Sequence, residues 1–530
     1  MINVAIIVNL LQGGGAERCA ADLSIYFAEH GFNVIFFTDL SFAVKYEYKG
    51  KLVNFTYHLE GSDKEAVADK ADELRRLKDQ YDIDISISFM QFANYMNVLS
   101  KGNEKVILTT HSVNYEYAKN QNSVYWAEET FRDLYQYADL ITFPSEYCRQ
   151  EWIEHYADRN SITRTIYNPV HMMHVHESKD KENIIIAVGR MHSIKRQWHM
   201  IRAFKRVKEK MADSRLIILG DGELRKSLED LTDRLGLTDD VEMPGNVTNV
   251  QDYLEKSKVF VMTSRMESLG SAALEAMSAG VPVVSCDIPG GIREALDIFS
   301  EQVEITEPIQ GECGILVPNI KEFYTDHLTC EEKILADEII HLLKENQIRL
   351  KMVEKAKTRA ELFSLEVIGK VWMKEITGMI QRDNIERQGF DKAKERSLDF
   401  IEKIKDSRTG MYISYYRLLD KWLCLREKNI SVRQYFQKYG MKRIIIYGMG
   451  KMAQHLLEDL KGSQVHVVCV IDRSANINSS FPVISDEVEI PDADCIIVTP
   501  VYDAAAIKQK LEAKTSIPVI SLLTVIEECL

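Results

Sequence analysis

The feature that most constrains this chain is a repeated alternation. Short runs of β-branched and aliphatic residues are each followed by an amphipathic stretch with helical spacing. A first series reads VAIIVN, VIFFT, IDISISF, VILTT and LITFPS, and a second reads IIIAVG, RLIILG, VFVMTS and VPVVS. A third opens at RIIIYGMGKMAQHLLEDL. Strands this apolar, separated by helices, predict an α/β fold with parallel sheets covered on both faces. At 530 residues, 45% hydrophobic and 28% charged, the chain is too long for one core and too apolar for disorder.

Punctuation along the chain divides it further. The stretch TIYNPVHMMHVHESKDKEN turns polar after Asn168 and Pro169, which predicts a linker near residues 170 to 183. Beyond residue 330 the helical period dominates, with Val367, Ile368, Val371, Trp372 and Ile376 read as one apolar face. Lysines and acids crowd residues 381 to 407, and the aromatic stretch MYISYYRLLDKWLCL follows, read as packing surface before lipid or glycan platform. The expected division is 1–172, 173–355, a crossover helix 356–380, a helical connector 381–440 and a small α/β domain 441–530.

Several function classes drop out. A net charge of -14, with no clustered basic face, argues against nucleic acid as a partner. The nine cysteines are scattered without a Cys-x-x-Cys pair and read as reduced core thiols of a cytoplasmic protein. MINVAIIVNLLQGGGAER lacks the basic region and cleavage site of a signal peptide, and no apolar run approaches a membrane span. Membrane contact would be peripheral, at the inner face. Residues 1–170, with about 16 basic against about 24 acidic side chains, offer anionic lipid no general attraction.

The chemistry concentrates in SRMESLGSAALEAMSAGVPVVS, residues 264 to 285. VFVMTS predicts a strand ending near Ser264 and GSAALEAMSAG a helix from about Gly270. Glu267 then lies in a loop at the carboxyl edge of a parallel sheet, and Glu275 inside the helix. Ligands bind at that edge, and helix N-terminal amides attract phosphate. A carboxylate beside a diphosphate is repelled by it, so its natural partners are neutral hydroxyls such as those of ribose or a sugar. AVGRMHSIKRQ places Arg190 and Lys195 after another strand, where two cations could neutralise a diphosphate. GDGELR and DIPGGIREAL add glycines at two further strand ends, suited to close backbone approach to a ligand. Taken singly, each of these residues also reads as ordinary loop or helix-end chemistry.

The ordered set resembles a retaining glycosyltransferase of family 4, with the GT-B architecture of two facing Rossmann-like domains. The resemblance runs from residue 1 to about 380: GGGAER, His111 after VILTT, FPSEYC, GRMHSIK, GDGELR, the two-glutamate motif, and the returning helix FSLEVIGKVWMKEI. It implies that Arg190 and Lys195 hold the donor diphosphate, with Gly14 and Gly15 opposite. It further implies Glu267 on the transferred sugar, Glu275 on the ribose, amides near Leu269 and Gly270 at the phosphates, and His111 beside the reacting sugar. Val247, in GNVTNV, would lie near the base. One departure stands out: Ser268-Leu269 where the family often has Gly-Phe, a change expected to alter sugar preference. The implied activity moves a sugar, from a UDP-sugar by preference, to a glycan, lipid-linked or protein-linked acceptor in bacterial surface polysaccharide or glycoconjugate synthesis. Neither a metal nor another cofactor is expected.

YGMGKMAQHLL matches a dinucleotide fingerprint through Gly448, Gly450 and Ala453, and Asp472 follows where an acid would read a ribose. The segment is half a dinucleotide-binding fold with no catalytic partner in view. It is read as a Rossmann-like accessory domain for a nucleotide, a sugar nucleotide or a partner protein, with NAD(P) chemistry not favoured. Two other readings stay open: a non-catalytic scaffold subunit of a glycosyltransferase complex, and a sugar-nucleotide epimerase on the same fold.

Overall fold

A computed structural model describes residues 1–56, 64–111, 133–156, 162–173, 181–300, 304–320, 328–381, 389–399, 415, 418–419, 421–422, 425–426, 430–472, 481–485, 490–500 and 504–529. The chain divides into two compact units, Met1–Ile401 and Glu402–Leu530.

The first unit holds two parallel sheets. One comprises β1 (Asn3–Ile7), β2 (Asn33–Thr38), β3 (Lys51–Asn54), β4 (Ile85–Phe89), β5 (Lys105–Thr109), β6 (Leu140–Phe143) and β7 (Thr163–Thr165), in the order β3-β2-β1-β4-β5-β6-β7. The other comprises β8 (Ile184–Val188), β9 (Arg215–Leu219), β10 (Val241–Gly245), β11 (Val259–Met262), β12 (Val283–Cys286), β13 (Ile309–Gln310) and β14 (Gly314–Val317), in the order β10-β9-β8-β11-β12-β14-β13. Only β13 runs antiparallel to its neighbour. Strand order reverses between β1 and β4 and between β8 and β11, the two places where such sheets open a crevice at their carboxyl ends. The strands expected from sequence are present. Missed were β3 and β10, edge strands with mixed or Pro-broken sequence, and the short pair β13 and β14.

Two devices tie the sheets together. The helix Leu365–Ile380 follows the second domain but buries Ile368, Trp372, Ile376 and Met379 in the core of the first sheet, with Trp372 edge-on to Phe27 at 6.5 Å. Burying each such side chain stabilises by roughly 1.5–3 kcal/mol, an upper estimate. Val367 and Val371, assigned to the same face from sequence, are each 39% exposed: the buried stripe is set one residue later. In the second device, Glu294 of the helix Ile292–Leu296 caps the helix Glu146–Tyr156 of the other domain. Its carboxylate accepts the amides of Glu146 and Tyr147 at 2.8 Å each and the Tyr167 hydroxyl at 3.0 Å. A helix start buried against another domain must satisfy its leading amides somehow, and here it does so across the domain boundary.

Behind the first sheet, Lys78 is fully buried and donates to Glu104 at 2.8 Å and to the Asn97 side chain at 2.7 Å, while Arg75 reaches the other Glu104 oxygen at 2.7 Å. Burial would raise the Glu104 carboxyl, but Lys78 and Arg75 outweigh it and hold it down to about 2. A helix over 390–399 joins this unit through Ser397, whose hydroxyl donates to Tyr95 at 3.1 Å, and through Asp399, paired with Lys64 at 2.5 Å.

The second unit is a parallel sheet of β15 (Arg443–Tyr447), β16 (His466–Ile471), β17 (Val483–Ile484), β18 (Cys495–Val498) and β19 (Val519–Ser521), ordered β17-β16-β15-β18-β19. Leu418, Trp422 and Leu425 of the aromatic stretch are buried in its core. Much of that stretch, most of the charged connector and part of the linker at 170–183 lie outside the described residues. Among the described cysteines all are free thiols and only Cys330 is exposed. No helix among the described residues is long and apolar enough to cross a membrane.

Candidate active site

Four strand ends of the second sheet converge. The loop after β8 carries Arg190 and Lys195, and the loop after β11 carries Glu267. Lys195 Nζ meets Glu267 Oε1 at 2.5 Å, and the Ser264 hydroxyl donates to the same oxygen at 2.6 Å. Next to Lys195, Arg196 is left-handed (φ +48°) and buried. Its guanidinium donates to the carbonyls of Thr263 (3.1 Å), Ser264 (2.9 Å) and Ile320 (3.0 Å) and to Asn319 Oδ1 (2.9 Å). Sequence reasoning read only the cation before it. Arg196 is the residue that staples the two loops, and its signal was its place beside Lys195 at the start of the helix Gln197–Lys210.

Two of the glycines are fixed by neighbouring backbone. Gly290, at φ +121°, lies against the Glu267 backbone, where a Cβ would overlap the Glu267 carbonyl. Glu267 N donates to Pro289 O at 3.1 Å and Gly291 N to Glu267 O at 3.2 Å. Gly220, at φ +125°, packs in the same way on the Gly189 carbonyl. These positions bring loop onto loop, fixing the site's wall, and that close packing already demands glycine there.

Glu275 is the fifth residue of the helix Ser271–Ser278, which Gly270 begins in a left-handed conformation, with buried Leu269 just before it. Burial pushes the Glu275 carboxyl up to about 7, with Arg18 opposing and Asp22 reinforcing the shift. Arg18 and Asp22 belong to the helix Gly15–Glu29 of the first sheet, so the two domains face each other here. Asp22 is itself raised by burial to about 6 against the pull of Arg18. Gly14 and Gly15 start that helix. The Glu17 side chain folds back over Gly14, where a Cβ would collide with its carboxylate. Burial raises the Glu17 carboxyl, while its own amide and Arg190 across the cleft lower it. Glu17, Arg18 and Asp22 were missed as site residues, although GGGAER contains the first two and Asp22 lies one helical turn beyond Arg18.

His111 lies two residues beyond the end of β5. Its Nδ1 stands 3.3 Å from Asn168 Nδ2 and its Nε2 3.1 Å from Thr109 Oγ1, and the ring stacks on Phe89 at 5.5 Å. The Thr109 hydroxyl already donates to the Ser88 carbonyl at 2.7 Å, so it accepts from the imidazole. The ring is therefore neutral, protonated on Nε2, and burial holds its pKa down to about 4. Ser268, the departure from the family pattern, donates its hydroxyl to the His111 carbonyl across the cleft. Val247 lies after edge strand β10, partly buried against the second core.

The structure thus brings together Arg190, Lys195, Glu267, Leu269, Gly270 and Glu275 on one sheet edge, with Gly14, Gly15 and His111 on the other domain. Gly448, Gly450, Ala453 and Asp472 belong to the second unit. There the Asp472 carboxylate accepts the Met449 amide at 2.8 Å, and a Cβ on Gly448 would lie 2.7 Å from Pro500. Ala453 is buried. Gly448 and Asp472 thus shape and pack the turn of this unit. Among the described residues no cluster of three or more His, Cys, Asp or Glu is grouped to hold a metal.

Paired parallel sheets with cations and carboxylates at facing edges, joined by a returning helix, define a GT-B glycosyltransferase. The chain belongs to that class: residues 13–172 match the Glycosyltransferase Family 4 model and residues 172–359 the Glycosyl transferases group 1 model. Residues 440–518 match the C2185-like, N-terminal model. An uncharacterized glycosyltransferase of Methanocaldococcus jannaschii is 33% identical over 270 residues, 47% of this chain and 66% of its own length. The Campylobacter jejuni GalNAc-alpha-(1->4)-GalNAc-alpha-(1->3)-diNAcBac-PP-undecaprenol alpha-1,4-N-acetyl-D-galactosaminyltransferase is 24% identical, over 71% of this chain and 98% of its own. In fold, Anabaena HepE, solved with UDP and glucose, superposes with a TM-score of 0.57 at 17% identity, over 71% of this chain and 100% of the other. Sucrose-phosphate synthase of Thermosynechococcus elongatus does so with a TM-score of 0.57 at 18% identity, over 72% and 99%.

Proposed function

We propose that the chain is a retaining glycosyltransferase that moves a sugar from a UDP-sugar to a hydroxyl of a lipid-linked or polysaccharide acceptor. The observation that carries this reading is the Lys195–Glu267 pair, set beside Arg190 at the strand ends and opposite the glycine turn at residues 13–15. Arg190 and Lys195 stabilise charge developing on the leaving diphosphate, the term that dominates such transfers. Glu267 accepts from hydroxyls of the transferred sugar, and Glu275 from the ribose.

In the transfer, the bond from the anomeric carbon to the phosphate oxygen breaks and the nucleoside diphosphate departs with the electron pair. The acceptor oxygen bonds the same carbon from the same face, and its proton passes to the departing phosphate oxygen. The neutral His111 ring, with both nitrogens engaged, lines this space without serving as base. The donor assignment draws support from the nucleotide bound in the Anabaena structure, and the acceptor class from the undecaprenol-linked substrate named for the Campylobacter relative. Peripheral contact with the inner membrane face would follow from such an acceptor.

Calorimetry with UDP, GDP and ADP tests the donor, and NMR of the product's anomeric centre tests retention. Saturable UDP binding with α-product from an α-donor is expected; inverted product or absence of nucleotide binding sinks the reading.

A further inference from the structure

We infer that Ser268 is a positioning residue whose hydroxyl clasps the donor domain to the facing domain, and so sets where Glu267 stands relative to His111. The inference rests on the transferase reading above. Ser268 lies between Glu267 and Leu269, and its hydroxyl donates to the main-chain carbonyl of His111, a residue of the other sheet.

Both ends of this bond are rigid. On the donor side, the Ser268 carbonyl accepts from Gly291 N at 3.1 Å and the Glu267 backbone is pinned to Pro289 and Gly291, while the Cys148 thiol reaches the same Ser268 carbonyl at 3.6 Å from the facing domain. On the facing side, the His111 ring is held by Thr109 and Asn168 and stacked on Phe89. The Ser268 hydroxyl therefore joins two stiff walls beside the weaker Cys148 thiol contact, and a hinge motion that parts the domains at this point breaks its bond. The Glu294 cap, by contrast, engages three donors with both carboxylate oxygens and tolerates the loss of one. A side chain without a hydroxyl at position 268 leaves only the Cys148 thiol contact to hold the walls at this point, so that Glu267 shifts more easily relative to the facing half. The bond forms between domains, so its contribution belongs to alignment at the reacting sugar more than to holding the nucleotide, whose predicted contacts are Arg190, Lys195 and Glu275.

The test compares S268A and S268T in the full chain. Nucleotide release from UDP-N-acetylgalactosamine and UDP-glucose gives kcat and KM, calorimetry gives UDP affinity, and hydrogen exchange follows segments 105–111 and 264–270. In S268A, kcat is expected to fall about five- to tenfold, the scale of one hydrogen bond, with donor KM and UDP affinity within about twofold of the parent. Exchange in both segments is expected to quicken. S268T, which keeps the hydroxyl, is expected to restore both. Unchanged exchange in S268A overturns the clasp whatever the turnover, and so does a turnover loss that S268T fails to restore. A parent protein that neither binds UDP nor releases nucleotide overturns the transferase reading instead, and the exchange comparison still decides the clasp.

Discussion

Lys195 Nζ lies 2.5 Å from Glu267 Oε1, joining the loop after β8 to the loop after β11. The pair leaves a cation and an anion side by side where a diphosphate and a sugar would meet. On the proposed reading, E267Q keeps the shape but removes the charge that positions the sugar. Turnover is expected to fall about a hundredfold with UDP affinity nearly unchanged. K195A should lower turnover by a similar factor and weaken UDP as well. Full activity in both variants would dismiss this pair from catalysis.

On the proposed reading, Glu275 makes nucleotide binding sensitive to pH. Its carboxyl is pushed up to about 7 by burial, with Arg18 opposing and Asp22 adding to the shift. A raised acid binds more protons folded than unfolded. Its contribution to stability is therefore greatest below the ordinary carboxylate range and is lost as pH climbs toward 7. Nucleotide binding should run the other way, because the ionised form is the better acceptor for ribose hydroxyls. UDP affinity is expected to rise through about pH 7 in the parent and to stay flat in E275Q, measured by calorimetry between pH 5.5 and 8.5. A parallel rise in both proteins would assign the titration elsewhere, with Asp22 the next group to replace.

His111 should be silent in the pH–rate profile. Burial holds its pKa down to about 4. The unfolded chain then binds more protons between that value and the ordinary imidazole range, so His111 contributes stability that grows as pH rises through this window. The parent's kcat profile is expected to show no imidazole inflection between pH 5.5 and 8. An H111N variant that erased an inflection in that range would restore the acid–base role.

The buried Lys78–Glu104 pair predicts a stability effect far from the chemistry. E104Q leaves the Lys78 ammonium in the core without its counter-charge, a change that costs roughly 3–5 kcal/mol. Urea unfolding should show that loss, while UDP affinity in the absence of denaturant stays at the parent value. A loss under about 1 kcal/mol would mean that Asn97, which accepts from Lys78 through both its side chain and its carbonyl, suffices alone.

The first compact unit ends at Ile401 and holds every residue proposed to touch the donor. A chain ending there should bind UDP as the full chain does. NAD should produce no binding heat with the full chain, since the second unit, a single five-stranded sheet, is half a dinucleotide-binding fold. NAD binding by the full chain would reopen the second unit as a separate site.

The sheets and the site were unequally legible in the sequence. Buried parallel strands announce themselves as unbroken apolar runs, which is why β1, β5 and β11 could be read directly. Edge strands cannot be read this way: β3 is KLVN and β10 is VEMPG, half exposed and free to carry Lys, Glu or Pro. For the site, Glu267, Glu275 and Lys195 were visible because charged residues at strand ends are few and their spacing is informative. Arg196 and Glu294 were not, because each acts on backbone groups distant in sequence; Ser268 stood out as a departure, but its partner, the His111 carbonyl, did not, since nothing local marks it. The glycines were seen, but not the neighbours that demand them. Gly290 and Gly220 are fixed by neighbouring loops, a constraint that exists only once the sheet has brought those loops together.

The capping of the Glu146–Tyr156 helix by Glu294 bears on how such a chain can be inherited. A hybrid that kept the first half and took the second from a relative lacking an acid at that place would orphan two amides and the Tyr167 hydroxyl at the junction. The halves can diverge in what they bind, but this one side chain obliges them to be exchanged as a pair.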